Sequence, residues 1–350
     1  MTSSKNYEDQ GSETLGNMSY RRIEIKNCIP GLSEIHKDLF FGNESQRHPN
    51  KWIFRAERRR KDELDCKKCT KKSTCISKED EDNVVFRTSL EKAFTAYEVN
   101  SADDRKKCEC NLNRAFKRKL HHYTNNAPAD DDILEWLALI RHYFGPTRLL
   151  DCTYSFFVAC FFAMNEMDYK KEQAEIWSID ADWLSYKKEE EEKNERISGI
   201  IGSKNYNDFK KKAERLAEET YADEKSALHN EIIHSLMRNE RACIYNITPF
   251  RLNERVIAQN GTFLLLGDTS KCFVRNLEGN FSQDELGEEE HLKRIIVKFN
   301  KIEEKKNVLR LLGDMGINRA VLFPDLRGFA ESLREKLAFP WYTKSREKEK

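Results

Sequence analysis

The sequence predicts an α+β protein, a mixed sheet core with packed helices, and three observations carry that reading. Short β-branched and aromatic runs recur along the chain, at Lys51–Arg55 (KWIFR), Glu175–Asp180 (EIWSID), Thr262–Leu266 and KRIIVKF near the end. Between them lie stretches with the i, i+3, i+4 spacing of amphipathic helices. One further stretch, TYSFFVACFFAMNE (153–166), is apolar almost all round. Such a segment predicts a helix buried on several sides, at the structural centre.

Taken in chain order, the polar residues 1–20 read as a flexible tail, and RRIEIKNC as a short strand with Ile23 and Ile25 on one face. A helix is expected over Leu32–Phe40. His48-Pro49-Asn50 then breaks the chain before the strand that delivers Arg55. Residues 58–82 are charged and cysteine-rich and read as an insertion. SLEKAFTAY (89–97), residues 112–123 and ILEWLALIRHYF (133–144) have helical spacing, the last ended by Gly145-Pro146. Asp151 or Thr153 is placed to cap the central helix. Residues 184–240 are rich in Lys and Glu and predict a charged helical excursion. The core resumes with ACIYNIT and with ERVIAQNGTFLLL, bent at Gly261. It closes with KRIIVKF as a strand, NKIEEKKNVLRLLGDMG as a helix ended by Gly313 or Gly316, AVLF as a last strand, and DLRGFAESLREKL as a final helix. Residues 341–350 form a charged tail.

At 39% hydrophobic content, 350 residues are enough to bury a substantial core. The 61 basic side chains nearly cancel the 60 acidic ones, so any surface for nucleic acid must be local. The longest apolar stretch is about half the roughly 20 residues that span a bilayer, and the first residues lack the apolar core of an export signal. The expectation is a cytoplasmic protein with no membrane partner.

Five blocks in order carry a family likeness: WIFRAE (52–57), RTSLEKAF (87–94), LALIRHYFGPTRLLDCTYSFFVACFFA (137–163), ERVIAQNGTFLL (254–265) and GINRAVLFPDLRGFAESL (316–333). Together they resemble the FRG domain family, named for a (Phe/Tyr)-Arg-Gly motif near the domain start. The resemblance covers residues 21–340 and implies one domain with insertions at 58–82 and 184–240. The chain departs from the family at signature places. Ala56 stands for the motif's glycine, Glu57 for the following glutamine, Arg141 for the glutamine before His142, and Cys152 for the tryptophan after Asp151.

Several constellations are candidates for chemistry. Arg55 ends an apolar strand, where a permanent charge with five donors needs either a phosphate or a structural carboxylate beside it. His142, Arg148 and Asp151 surround one Gly-Pro-Thr turn, with His142 and Asp151 as catalytic candidates; capping a helix is the alternative for Asp151. Arg255 and Gln259 are candidate ligand-binding residues beside Gly261, and Glu57 and Glu254 are candidate carboxylates to orient a ligand. The functional expectation is an enzyme acting on a nucleotide or nucleic-acid phosphate with Arg55 as clamp. The alternative is a non-enzymatic binding or regulatory module whose basic insertion contacts a nucleic-acid or protein partner. Cys66 and Cys69 form a CxxC pair, and with Cys75, Cys108 and Cys110 they provide thiols for one structural zinc ion.

Overall fold

The computed structural model describes residues 5–40, 51–60, 86–185, 211, 224–249, 251–281, 287 and 290–339. Its strands are β1 (Tyr7–Leu15), β2 (Met18–Ile25), β3 (Trp52–Arg60), β4 (Leu149–Thr153), β5 (Glu172–Asp180), β6 (Ile244–Ile247), β7 (Gly261–Leu266) and β8 (Leu292–Val297). The helices are α1 (Cys28–Ile35), α2 (Ser89–Ala96), α3 (Ala102–Leu120), α4 (Ile133–His142), α5 (Phe156–Met164) and α6 (Ala181–Ser185), then α7 (Glu224–Arg238), α8 (Glu254–Ala258), α9 (Phe273–Glu278), α10 (Ile302–Asp314), α11 (Arg319–Leu322) and α12 (Leu326–Ser332). The strands form one sheet in the order β1-β2-β8-β5-β3-β4-β7-β6. Every pairing is antiparallel except β2 with β8, so the sheet is mixed and the α+β expectation holds.

Strand alternation divides the apolar side chains between the two faces. Trp52 and Phe54 of β3 join Ile176, Ile295 and Ile23 beneath α5, α1 and α10, whereas Ile53 joins Trp177, Ile179 and Leu264 on the opposite face. Helix α5 is the centre that its composition predicts: Phe156, Val158, Ala159, Cys160, Phe161, Ala163 and Met164 are all buried. Each large side chain removed from water there contributes roughly 1.5–3 kcal/mol, which outweighs the modest helix propensity of phenylalanine and valine. A third cluster packs Leu134 and Leu137 of α4 against Ile232, Ile233 and Leu236 of α7.

Several expectations change; ERVIA (254–258), read with the following residues as one bent strand, is the helix α8. Residues 7–20, read as tail, form a β1-β2 hairpin in which the buried Tyr7, Met18 and Tyr20 anchor an otherwise polar ribbon. Asp151 lies within β4, and the cap of α5 is Ser155, whose side chain accepts the Val158 N–H. AVLF is not a strand: Asn318 accepts the Val321 N–H and starts the short helix α11. In the region read as an exposed excursion, α7 carries the buried face just described. The cysteine-rich segment beyond Arg60 and the tail 341–350 lie outside the described residues. Among the described residues no helix is long and apolar enough to cross a membrane.

Candidate functional site

Strand β3 pairs with β5 along its whole length but meets β4 at one position, Phe54 opposite Thr153. A cleft of about 320 Å3 opens where that ladder stops. Its walls come from β3 (Phe54 to Arg58), Lys92 of α2, Asp151 to Thr153 of β4, the α5 end (Ala159, Phe162, Asn165, Glu166), and Arg255, Gln259, Arg319 and Phe323. Arg55, Asp151 and Gln259, distant in sequence, thus line one concavity, as do the predicted Glu57 and Arg255.

Arg55 and Glu57 project from the same side of β3, and the Arg55 Nε donates to Glu57 Oε1 at 2.9 Å. Its Nη1 donates to the Asp151 carbonyl at 2.7 Å, a side-chain bond across the gap where the ladder has ended. The Asp151 carboxylate accepts from Arg141 Nε at 2.7 Å. Burial alone would raise its pKa, but Arg141, with Arg55 and Arg255 behind it, holds it below the usual carboxylate range. The arginine at the family's glutamine position is therefore the ion-pair partner of Asp151. Cys152, at the tryptophan position, is a buried thiol pushed up to about 12 by burial, and so remains protonated near neutrality.

Arg255 differs from these. Its guanidinium carbon rests 4.6 Å from the Phe144 ring centroid and 4.4 Å from that of Phe323, and its Nη1 donates to the His142 carbonyl at 3.3 Å. Among the described residues no carboxylate lies within ion-pair distance of it. The Lys92 ammonium likewise has no hydrogen-bond or ion-pair partner among the described residues. It stands on α2, whose start is fixed by a reciprocal capping box between Thr88 and Glu91. The other two basic groups of the cleft are paired: Arg58 lies 3.7 Å from Glu166, and Arg319 bonds Glu331 at 2.7 Å and Glu166 at 2.9 Å. Gln259 closes α8 and donates its amide to the Leu322 carbonyl at 3.0 Å, tying the cleft wall to α11.

Two predicted members stand apart. Arg148 is 1% exposed and makes an ion pair with Glu109 of α3, another with Glu240 at 3.1 Å, and bonds to the Leu266 and Gly267 carbonyls. It is a structural charge and does not line the cleft. His142 does not line the cleft either. It borders an adjoining void of about 20 Å3 with Arg141, Asp151, Asn253 and Arg255, enough for about one water. Burial and the nearby Arg255 pull its pKa below the ordinary 6.5, and its buried Nδ1 has no partner among the described residues. Glu254 is exposed at the start of α8 and is not part of the cleft wall.

Sequence reasoning missed Lys92, Glu166 and Arg319, and it read Arg58 as the start of the basic insertion, whereas β3 runs on to Arg60 and Arg58 lines the cleft. Lys92 and Arg319 sit inside the blocks RTSLEKAF and GINRAVLFPDL, so the signal was the block itself. Of the proposed zinc ligands, Cys66, Cys69 and Cys75 lie outside the described residues. Cys108 and Cys110 are on α3, whose helix begins at the Ser101 cap well before the expected start, and two-residue spacing turns their side chains to different sides. Lys117, in the last turn of α3, covers Trp136, its ammonium 4.7 Å from the ring centroid, and donates to the Asp130 carbonyl at 2.7 Å.

A mixed sheet with a basic cleft at an interrupted ladder defines an α+β domain with one polar, arginine-lined site. A family model described as FRG domain matches residues 50–172, and the chain carries an FRG domain there. No curated protein and no solved structure gives a match. The matched span supplies β3, Lys92, Asp151 and Glu166, whereas Arg255, Gln259 and Arg319 come from beyond it.

Proposed function

We propose that the cleft binds the phosphate group of a nucleotide. The observation that carries this reading is a pair of basic groups, Arg255 and Lys92, on the wall of one concavity and without a counter-ion among the described residues. A half-buried guanidinium is costly without an anion, and it offers a planar fork suited to phosphate oxygens. Arg55 keeps donors beyond those given to Glu57 and the Asp151 carbonyl, so it completes the clamp from the cleft floor. Glu57, Asp151 and Glu166 are the carboxylates lining the cleft and are the groups to carry chemistry on such a ligand.

A second reading, binding without turnover, is favoured by a specific feature. Glu57, Asp151 and Glu166 are each engaged by arginines, and His142 stands outside the cleft, so no free acid–base group faces the ligand among the described residues. Chromatography of ADP and dinucleotides after incubation with the protein separates the two readings. Product formation supports the enzyme, and recovery of intact ligand that nonetheless binds supports the module.

Calorimetric titration with ADP and with adenosine tests the phosphate claim itself. ADP is expected to bind at least tenfold more tightly, since a charge-assisted hydrogen bond contributes about 1.5–3 kcal/mol, and Arg255→Gln should remove most of that difference. Equal affinity for ADP and adenosine, or none for either, would refute it. The proposal of a zinc ion on Cys66, Cys69 and Cys75, joined by Cys108 or Cys110, rests on the sequence spacing alone. Elemental analysis of protein purified without added metal decides it, near-stoichiometric zinc for and no metal against.

A further inference from the structure

Beside the cleft runs a groove of about 570 Å3, lined by the apolar Ile302, Leu309, Leu337 and Ala338, by the basic Lys305, Lys306 and Arg334, and by the carboxylates Glu331 and Glu335. The two spaces share Arg58, Asn165, Glu166 and Arg319, so they meet at a common waist. Glu166 lies between two cations there, 2.9 Å from Arg319 and 3.7 Å from Arg58. It occupies, as a resident carboxylate, the position where a ligand's anion would sit. Arg334 at the far edge is exposed and has no carboxylate within ion-pair distance among the described residues.

We propose that cleft and groove form one two-chambered site for a dinucleotide, with the phosphates in the cleft and one nucleoside passing the waist into the groove. This deepens the phosphate reading and rests on it. Each chamber falls in the range of about 300–1,000 Å3 typical of small-molecule sites. The groove combines apolar side chains with Lys305, Lys306 and Arg334, and its carboxylate Glu331 is already paired with Arg319 and Arg327, which suits a ring and sugar attached to a phosphate. Its described lining contains no aromatic ring, so it lacks the stacking platforms on which single-stranded nucleic acid is bound. On entry of the ligand, Arg58 and Arg319 exchange Glu166 for phosphate oxygens.

Titration of the full chain with ADP, diadenosine diphosphate and a short oligoadenylate tests this. Diadenosine diphosphate is expected to bind at least tenfold more tightly than ADP, a difference of about 1.4 kcal/mol. Leu337→Glu, at a side chain 60% exposed and therefore tolerant of change, should abolish that advantage so that the two ligands bind alike, with the melting temperature unmoved. Glu166→Gln removes the competing anion and should tighten diadenosine diphosphate several-fold. Equal affinities for the two ligands in the unaltered protein, an advantage that survives Leu337→Glu, a loss of affinity in Glu166→Gln, or preference for the oligonucleotide would each overturn the two-chamber site while leaving phosphate binding standing. Failure of ADP and diadenosine diphosphate alike would overturn both.

Discussion

Arg55, Arg148 and Arg255 are the same residue type in three electrostatic settings, and the settings separate structure from function. Arg148 is buried against Glu109, so Arg148→Ala strands a buried carboxylate. It should cost about 3–5 kcal/mol, read as a lower urea midpoint, and act on ligand binding through that loss of fold alone. Arg255→Gln instead should leave the midpoint nearly unchanged while weakening ADP. Phe144 adds a related trade. Its φ of 61° is in the left-handed region, which costs a side chain with a Cβ about 1 kcal/mol, yet its ring supports Arg255. Phe144→Gly should therefore match or exceed the unaltered protein in stability and bind ADP less tightly; loss of stability with unchanged binding would contradict the ring's supporting role. His142 contributes a pH dependence, as does His36, whose pKa burial also lowers. The folded pKa of His142 is depressed, so its contribution to stability is fully present above 6.5 and is lost as pH falls through the lower folded value. Melting temperatures between pH 8 and pH 5 should drop less in His142→Gln than in the unaltered protein.

At the scale of elements, the strong periodic segments were legible and the short ones were not. The apolar run of α5 left no alternative to burial, and KWIFR announced β3 by its β-branched and aromatic content. AVLF has the same composition over four residues, too few for periodicity to separate strand from helix, and the Asn318 cap decided it. Residues 7–15 read as tail because β1 lies at the sheet edge with most of its side chains exposed, so no apolar alternation marks it. Arg55, Asp151 and Gln259 were legible as a shared site through their blocks. Lys92 and Arg319 lie within such blocks too but were passed over, because a lone base beside apolar residues looks like any solvated one. The turn from α4 to β4 is the element most exposed to a single change. A Cβ on Gly145 would lie 2.5 Å from Ile140 Cγ2 and 3.0 Å from the Ile140 carbonyl oxygen. Gly145→Ala should cost about 1–3 kcal/mol by overpacking and disturb the Arg141–Asp151 pair, lowering both melting temperature and ADP affinity.

For the whole molecule, the cleft is assembled from residues 54 to 323, and the family match covers only part of it. Fragment 50–172 would leave β4 without β7 and, ending at the first residue of β5, β3 without β5, opening two sheet edges and removing Arg255 and Arg319. Expressed alone, it is expected to aggregate or to lack a cooperative thermal transition; a folded fragment that binds ADP like the full chain would show that the later elements are dispensable. The claim on which the rest depends is that phosphate is held between Arg255 and Lys92. A crystal structure of the full chain with ADP tests it most directly. The account predicts phosphate oxygens within hydrogen-bonding distance of the Arg255 guanidinium and the Lys92 ammonium, above the Arg55–Glu57 pair. Phosphates bound at any other surface, with the cleft empty of ligand, would contradict it.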